Sequence, residues 1–569
     1  MKRKWAVKPL PEFNAEDFPE YPALIRRLLA VRQFREKGQI EKFLNPNYEE
    51  LHSPFLFKDM GKAVERIWQA IQSGEKIAIY ADYDADAITA CSVMYLALKK
   101  LGAVVDYYIP DRFSEGYGMN PEAIGKIAER DAKLIITVDC GINAVGETAA
   151  ANRAGMDVII TDHHEVTGPL PEAFAIINPK NPLDSYPFPY LTGVGVAFKL
   201  VQALFSDSVR LTAANAVPGW EKWLLDLVAI GTVADCQTLL GENRILVSFG
   251  LKVIAKTKWL GLRALLEISG ISQRPIDTYV LGFMVAPRIN AAGRIKHADI
   301  AFRLLITGDP AEASAYAQEL NSLNVRRQEL TERVLSEARE QIELIIEKRV
   351  LLAAGQDWPK GVVGLVAGRL AEEYGRPVLV MEKGEEFATG SARAAGSFDL
   401  VAALNYSKDL LSKYGGHTQA AGFTLPVGNI PVFHQKLLEY ADTSSAADPD
   451  PVLELDAELF GDDVNLENFD IIDRFGPFGF GNPRPKFACF GADILELRLV
   501  GADNRHLKLT LGIGGRPVAA IAFNQGFLGP KLALGRPINV AAELSANEWN
   551  GNREIQLRVI DIQVPDIKT

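Results

Sequence analysis

No run of about 18 consecutive apolar residues occurs in this chain of 569 residues, so a transmembrane helix is not expected. The amino terminus, MKRKWAVKPLPEF, is basic, but Pro and charge interrupt it where a signal peptide needs an apolar stretch. A cytoplasmic protein is the expectation. Cysteine is scarce. Cys91, Cys140, Cys236 and Cys489 stand far apart without a CxxC pair, which excludes a zinc knuckle and a disulfide framework and reads as buried, reduced thiols. Positive charge is also in deficit, 61 basic against 72 acidic residues for a net charge of -11, so the protein does not coat nucleic acid through bulk charge. Internal repeats and low-complexity tracts are lacking.

What is present fits a large soluble protein: 48% hydrophobic and 23% charged residues, enough chain for several cores. Three apolar, β-branched segments share one plan, KIAIYAD (76–82), KLIITVDCG (133–141) and DVIITDHH (157–164), separated by helical stretches at 89–101 and 144–154. This predicts strand–helix–strand units and a parallel sheet. Ligands of such sheets bind beyond the carboxyl ends of the strands, where Asp82, Asp139 and Asp162 stand. The residues after Pro310 and before Gly355 contain neither Gly nor Pro, and Leu330, Val334, Ala338 and Ile342 approach helical spacing. A long helix bridging two lobes is expected there; a helix lying along one domain is the plainer alternative. The polar stretch 441–451, ADTSSAADPDP, has linker composition, and alternating β-like runs after it predict a small barrel.

Chemistry concentrates in two places. Asp82, Asp84 and Asp86 alternate in ADYDADA just after a strand, and three acids this close repel unless cations or protons relieve them. A calcium EF-hand needs Gly where Ala87 stands and an acid where Val93 stands, so it is excluded. A phosphatase of the DxDx[T/V] type is disfavoured by Asp86. Alone, the triplet is equally readable as solvated turn acids. The second place is Thr161-Asp162-His163-His164, which holds two of the 7 histidines. One imidazole can ligate a metal while its neighbour faces substrate, with Asp162 orienting a ring through its other nitrogen. An isolated His pair is more often structural; with Asp139 at the neighbouring strand end the functional reading prevails. Carboxylates with one or two imidazoles favour Mn²⁺ or Mg²⁺, and a pair of such ions serves phosphoryl chemistry.

In their order and spacing DYDAD, VDCG, TDHH and GTVAD (231–235) resemble the four motifs of the DHH phosphoesterases. PDRFSEGYG (110–118), LTGVGVAFKL (191–200), APRINAAGRI (286–295), GSARAAGSFDL (390–400), GGHTQAAGF (415–423) and FGPFGFGNPRPKF (475–487) extend the likeness over roughly 50–565, to the single-stranded-DNA exonucleases of the DHH/DHHA1 family. The resemblance implies an α/β architecture: an N-terminal segment (1–58), a parallel-sheet DHH domain (59–309), a connecting helix (310–348), a smaller α/β DHHA1 domain (349–445) and an OB-like barrel (446–569). It implies Asp84, Asp86, Asp139, His163 and Asp235 as metal ligands, Asp82 as a ligand or a support behind them, and His164, backed by Asp162, at the scissile phosphate. It also implies a 5′-phosphate pocket of Arg112, Ser391 and Arg393, and a nucleotide path lined by Arg288, Asn290 and His417.

Arg112, Arg288, Arg294 and Arg393 carry planar forks suited to phosphate, though any single one reads equally as a surface ion pair. Gly415 and Gly416 beside His417 permit an anion-binding loop. Phe478, Phe480 and Trp549 are candidate base stackers in the barrel, with core positions the more usual reading.

The activity expected from the resemblance is Mn²⁺- or Mg²⁺-dependent degradation of single-stranded DNA, 5′ to 3′, to mononucleotides, in DNA repair and recombination. Single-strand-binding protein and a helicase are the expected partners, and no membrane is. A phosphodiesterase of oligonucleotides or cyclic dinucleotides, and a non-catalytic replication scaffold of the same fold, are the alternatives. The sequence departs from the pattern at Ala81 and Ala87, where relatives carry Gly, and at Tyr80, where some carry a metal-binding His. A methyl at 81 or 87 is expected to crowd a phosphate or a left-handed turn.

Overall fold

The computed structural model describes residues 4–12, 18–112, 114–116, 118–271, 275–443, 452–549 and 552–565. The chain forms two compact units, 51–449 and a second that joins 1–50 to 450–569.

In the larger unit five strands, β1 (Lys76–Ala81), β2 (Val104–Tyr108), β3 (Ala132–Val138), β4 (Asp157–Thr161) and β5 (Ala175–Ile177), form a wholly parallel sheet in the order β2-β1-β3-β4-β5. The central strands are near-continuous apolar runs because both faces are covered. The strand order reverses between β1 and β3, so a crevice opens beyond their carboxyl ends. Helix α1 (Ala85–Lys100) leaves that crevice, its first turn capped by Asp84, which accepts from the Ala87 amide. Helices α2 (Gly193–Leu204) and α3 (Leu225–Ala234) pack on α1.

A buried ion pair fixes α2. Lys199 Nζ donates to Glu242 Oε1 at 2.6 Å and to the His52 carbonyl at 2.8 Å, while Glu242 also accepts from the His52 amide and from Tyr186 Oη. Both charged side chains are all but inaccessible, at 0% and 2% exposure. Lys199→Met strands the Glu242 charge and is expected to cost roughly 3–5 kcal/mol in chemical denaturation. Adding Glu242→Gln is expected to restore part of that loss.

Beyond a π-helical turn (Leu281–Val285) and α4 (Ala286–Ile295) runs α5 (Pro310–Glu343), 34 residues and roughly 51 Å long. Asp309 caps it, accepting from the amides of Ala311 and Glu312, and Pro310 sits where no amide is needed. Its first half packs on α4; its second half, through Val334, Leu335, Ala338 and Ile342, enters the core of a second lobe. The bridging reading therefore holds, with the helix ending at Glu343 and a short turn region before the next strand.

The second lobe is a mixed sheet of β6 (Leu351–Gly355), β7 (Val378–Lys383), β8 (Phe387–Arg393), β9 (Lys413–His417) and β10 (Ala420–Pro426), in the order β9-β10-β8-β7-β6. Its β6–β7 pair is parallel and the other pairs are antiparallel. Helix α6 (Lys360–Tyr374) covers one face.

In the smaller unit β11 (Phe487–Val500), β12 (His506–Ile513), β13 (Arg516–Ala522), β14 (Pro537–Trp549) and β15 (Asn552–Gln563) close a barrel through the β11–β14 pair. The amino-terminal residues, silent as sequence, belong to it. Lys4–Val7 pairs in parallel with Val452–Leu455, and Leu24, Ile25, Leu28, Phe43 and Leu44 pack into the barrel core.

Two readings of individual side chains are corrected here. Cys236 is exposed, whereas Cys91, Cys140 and Cys489 are buried. Phe480 is 69% exposed rather than core, while Phe478 is half-buried against the barrel core with Arg484 over its ring. The side chain of Trp549 and the linker from 444 to 451 lie outside the described residues.

Candidate metal and phosphate site

Each strand that ends at the switch point delivers an acid into the crevice. Asp82 follows β1, Asp139 follows β3 and Asp162 follows β4, and all three are buried. Asp139 takes a left-handed backbone, φ 61°, which Asp and Asn tolerate better than other residues with a side chain. Its amide is held by the Thr161 carbonyl, so β4 fixes the turn that aims its carboxylate.

Asp139 Oδ1 lies 3.0 Å from His163 Nε2, and Asp235 Oδ2, from the end of α3, lies 3.9 Å from the same nitrogen. Neither oxygen makes a hydrogen bond, and Asp82 Oδ1 is also buried without one. Burial first, and then the neighbouring His164, push the His163 ring down to about 3, so it is a neutral electron-pair donor. Oxygens and nitrogen thus converge without a hydrogen bond to satisfy either oxygen. Burial, reinforced by Asp84, lifts Asp235 to about 7; burial with the adjoining acids lifts Asp82, Asp86 and Asp139 well above the ordinary range. A divalent cation removes both penalties. Ligand atoms of Asp139, His163 and His164, and again of Asp86, His163 and Asp235, gather within 4.8 Å of one another. This donor set, mostly carboxylate with imidazole, fits Mn²⁺ or Mg²⁺.

The support behind these acids is extensive. Asp86 accepts from the amides of Gly193 and Val194 at 2.7 and 3.0 Å at the start of α2. A Cβ on Gly193 would stand 2.4 Å from Asp139, and one on Gly231 would stand 2.8 Å from Asp86 Oδ1, so both glycines keep room for the acids. Asn290 Oδ1 accepts from the Ala85 amide at 2.9 Å, clamping the turn of the first motif from α4. The motifs contain these residues, but nothing in the sequence alone assigns them these roles. The signal within reach was Thr-Gly-x-Gly at a helix start, with Thr192 as cap.

Asp162 accepts from the amides of Ile142, His163 and His164 and meets His164 Nδ1 at 2.7 Å. Burial opposes the charged His164 ring, but the hydrogen bond and charge of Asp162, with Asp235 and Asp84, outweigh it and raise the ring to about 8. Asp84 is exposed at the helix start.

A basic cluster from both lobes of this unit adjoins the acids. Burial, then the charges of Arg112 and Arg327, lower Arg294 to about 10, with Asp84 acting in the opposite sense; burial and Arg112 lower Arg393. Arg112 lies over the Tyr83 ring, and Arg294 donates to the Gly361 carbonyl at the start of α6. Ser391 and Arg393, two apart on β8, point to one side, where a Cβ on Gly364 would meet both at 3.1 and 3.2 Å. Arg288 is tied down elsewhere, donating to Asn321 Oδ1 on α5 and to the Met284 carbonyl.

Two expectations change. Gly415, Gly416 and His417 form the exposed edge strand β9 rather than a loop. Gly416 is needed because a Cβ would stand 2.4 Å from the Ala420 carbonyl of its own hairpin. Ala81 is a strand residue paired with Val138 and Ala87 a helical one; neither has positive φ, so their methyls strain no left-handed turn. Tyr80 donates to the Gly118 carbonyl and stacks on Tyr108, within the core beside the sheet.

A parallel sheet with acids and paired histidines at its switch point, joined by a long helix to a second lobe, defines a DHH phosphoesterase. Residues 76–232 match the DHH family, N-terminal domain, residues 347–443 the DHHA1 domain and residues 455–561 the RecJ OB domain. The chain belongs to the RecJ family. It is 39% identical over 99% of its length to the single-stranded-DNA-specific exonuclease RecJ of Bacillus subtilis (strain 168), covering 71% of that protein. To the protein of the same name from Escherichia coli (strain K12) it is 35% identical, covering 99% of this chain and 100% of that one. The crystal structure of RecJ from Thermus thermophilus in complex with Mn²⁺ superposes with a TM-score of 0.83 at 32% identity, over 99% of this chain and 80% of that chain.

Proposed function

We propose that this protein is a Mn²⁺- or Mg²⁺-dependent exonuclease that degrades single-stranded DNA from its 5′ end to mononucleotides. The observation that carries the reading is the convergence of Asp139, Asp235 and His163 on one point, with buried carboxylate oxygens that no hydrogen bond satisfies, beside a cluster of half-buried arginines. Asp82, Asp84, Asp86, Asp139, His163 and Asp235 hold two ions. When bound, such ions activate water at neutral pH and stabilise the attacking and leaving oxygens of a phosphodiester.

The protein's own groups do the rest. Asp162 fixes the His164 ring through Nδ1 and keeps it charged near neutral pH, so that Nε2 presents a proton to the scissile phosphate. Arg112, Ser391 and Arg393, with Arg294 behind them, take the terminal 5′ phosphate, which sets the direction of cutting. The barrel supplies a second hold on the strand, consistent with a substrate longer than a dinucleotide. Action in the cytoplasm alongside single-strand-binding protein and a helicase completes the proposal; no helix among the described residues is long and apolar enough to cross a membrane.

The test is digestion of a 3′-labelled single strand in Mn²⁺ or Mg²⁺, with blunt duplex, RNA and a cyclic dinucleotide in parallel. Stepwise loss from the 5′ end of the single strand, abolished by EDTA, is expected. Cleavage of the cyclic dinucleotide alone, or strand binding without cleavage, overturns it.

A further inference from the structure

The helical turns that lead into α4, which carries Asn290, display two aromatic rings that the fold leaves uncovered. Tyr279 and Phe283 are 60% and 70% exposed, and they stack on each other with centroids 4.8 Å apart at 26°. Phe283 lies inside the π-helical turn Leu281–Val285, a distortion that recurs at functional sites. The turn is pinned beside the metal centre: it packs on α3, which ends at Asp235, and a Cβ on Gly282 would touch Val233 at 3.3 Å.

Chain position gives the pair a location. Phe283 directly follows Gly282, the residue that faces Val233 two positions before Asp235, and belongs to the same continuous helical run, 278–295, as Asn290. Asn290 clamps the first-motif turn, and one turn further on Gly293 lies against the Tyr83 carbonyl. One helical run therefore leads from the metal-holding turn to the aromatic pair. Solvent-facing aromatic stacks beside a phosphate-cutting centre suit a flat, apolar ligand whose backbone is already held nearby. An unpaired nucleobase is such a ligand.

We propose that Tyr279 and Phe283 form a base-stacking platform for the strand entering the catalytic crevice. The proposal rests on the single-strand exonuclease reading above and adds to it where the incoming strand is read: by ring faces, without regard to base identity. It also assigns a reason for preferring unpaired substrate, since a base in a duplex has both faces covered by its neighbours.

The experiment compares the wild type with Tyr279→Ala/Phe283→Ala and Tyr279→Trp/Phe283→Trp, all loaded with Mn²⁺. One substrate is a 5′-phosphorylated oligothymidylate of about 16 nucleotides, at the upper end of single-strand site sizes, and the other is the dinucleotide pdTdT. In EDTA, 2-aminopurine at successive positions from the 5′ end of the long strand reports stacking. The double alanine variant is expected to raise KM for the long strand about 10-fold or more, as base–aromatic stacking predicts, to leave pdTdT constants within about twofold, and to lose the quenching that the wild type shows at one position beyond the second base. The double tryptophan variant is expected to restore both. Wild-type KM and quenching in the alanine variant would give the pair to some other occupant, such as a protein, and overturn the proposal. Equal loss on both substrates with a lowered melting temperature would assign the pair a structural role and overturn it as well. A wild type that cuts neither substrate refutes the exonuclease reading, and the quenching arm then still decides the platform.

Discussion

Asp139→Asn is expected to reduce hydrolysis of single-stranded DNA about 10³-fold, roughly 4 kcal/mol of transition-state stabilisation. Asparagine is the informative replacement because it tolerates the left-handed backbone at this position, φ 61°, where alanine would add strain. The variant keeps shape and loses charge. Stability is expected to move the opposite way: without metal, Asp139 sits among Asp86, Asp84 and Asp235, and removing one buried charge raises the melting temperature in EDTA. The rise in melting temperature that Mn²⁺ gives the wild type is expected to shrink or vanish in the variant.

The pH dependence follows with a definite sign. Asp235 reaches about 7 in the folded protein against 3.8 for the ordinary carboxyl, so the folded state prefers its protonated form. That preference contributes stability at acid pH, fully present below the unfolded value and lost as pH rises through about 7. In EDTA the wild type is therefore expected to melt at lower temperature as pH increases through neutrality. In Mn²⁺ the trend reverses, because binding requires the same carboxylates to be deprotonated. Calorimetric scans from about pH 5 to about pH 9 check both slopes.

Asp162→Asn is expected to lower kcat about 10²-fold, at the upper end for a group that orients a metal-site histidine. The mutation replaces an oxygen that accepts a proton with an amide that donates one, against either the Ile142 amide or His164 Nδ1. With the carboxylate charge gone, burial acts on the His164 ring with less opposition, and its titration moves down from about 8. Since the charged ring is the working form, the high-pH fall in kcat is expected to shift to lower pH, which a merely structural defect would not produce. A pH–rate profile at saturating DNA measures it.

Much of the catalytic centre was legible before the fold was known, for a physical reason. A parallel sheet places ligands at strand ends, and the strand ends here are marked by acids, in KIAIYAD, TVDCG and IITDHH. The long helix was legible too, since neither Gly nor Pro interrupts the chain between Pro310 and Gly355. Readings that relied on a residue type without its backbone fared worse. Gly415 and Gly416 suggested an anion-binding loop, yet they lie in a hairpin strand whose close pairing requires Gly416. Ala81 and Ala87 looked like obstacles to a left-handed turn, yet they lie in a strand and a helix where no such turn occurs.

The amino-terminal 50 residues show the limit most plainly. Their apolar residues are too few to form a core alone, and nothing local says that Leu24, Ile25 and Leu28 complete a barrel built from residues more than 400 positions later. Asn290 and Gly193 are similar cases, since an amide 205 residues away at Ala85 and the acid Asp139 give them their purpose.

By itself the sequence determined which acids close the strands, the order of the lobes and the class of chemistry, because strand periodicity, chain punctuation and donor type are local properties; the full ligand set came only as an implication of the family resemblance. Only the tertiary structure decided which oxygens lack partners, how the arginines of the two lobes gather, and that Tyr279 and Phe283 face solvent beside the cutting site. Those facts depend on distances between residues far apart in the chain, which packing alone sets.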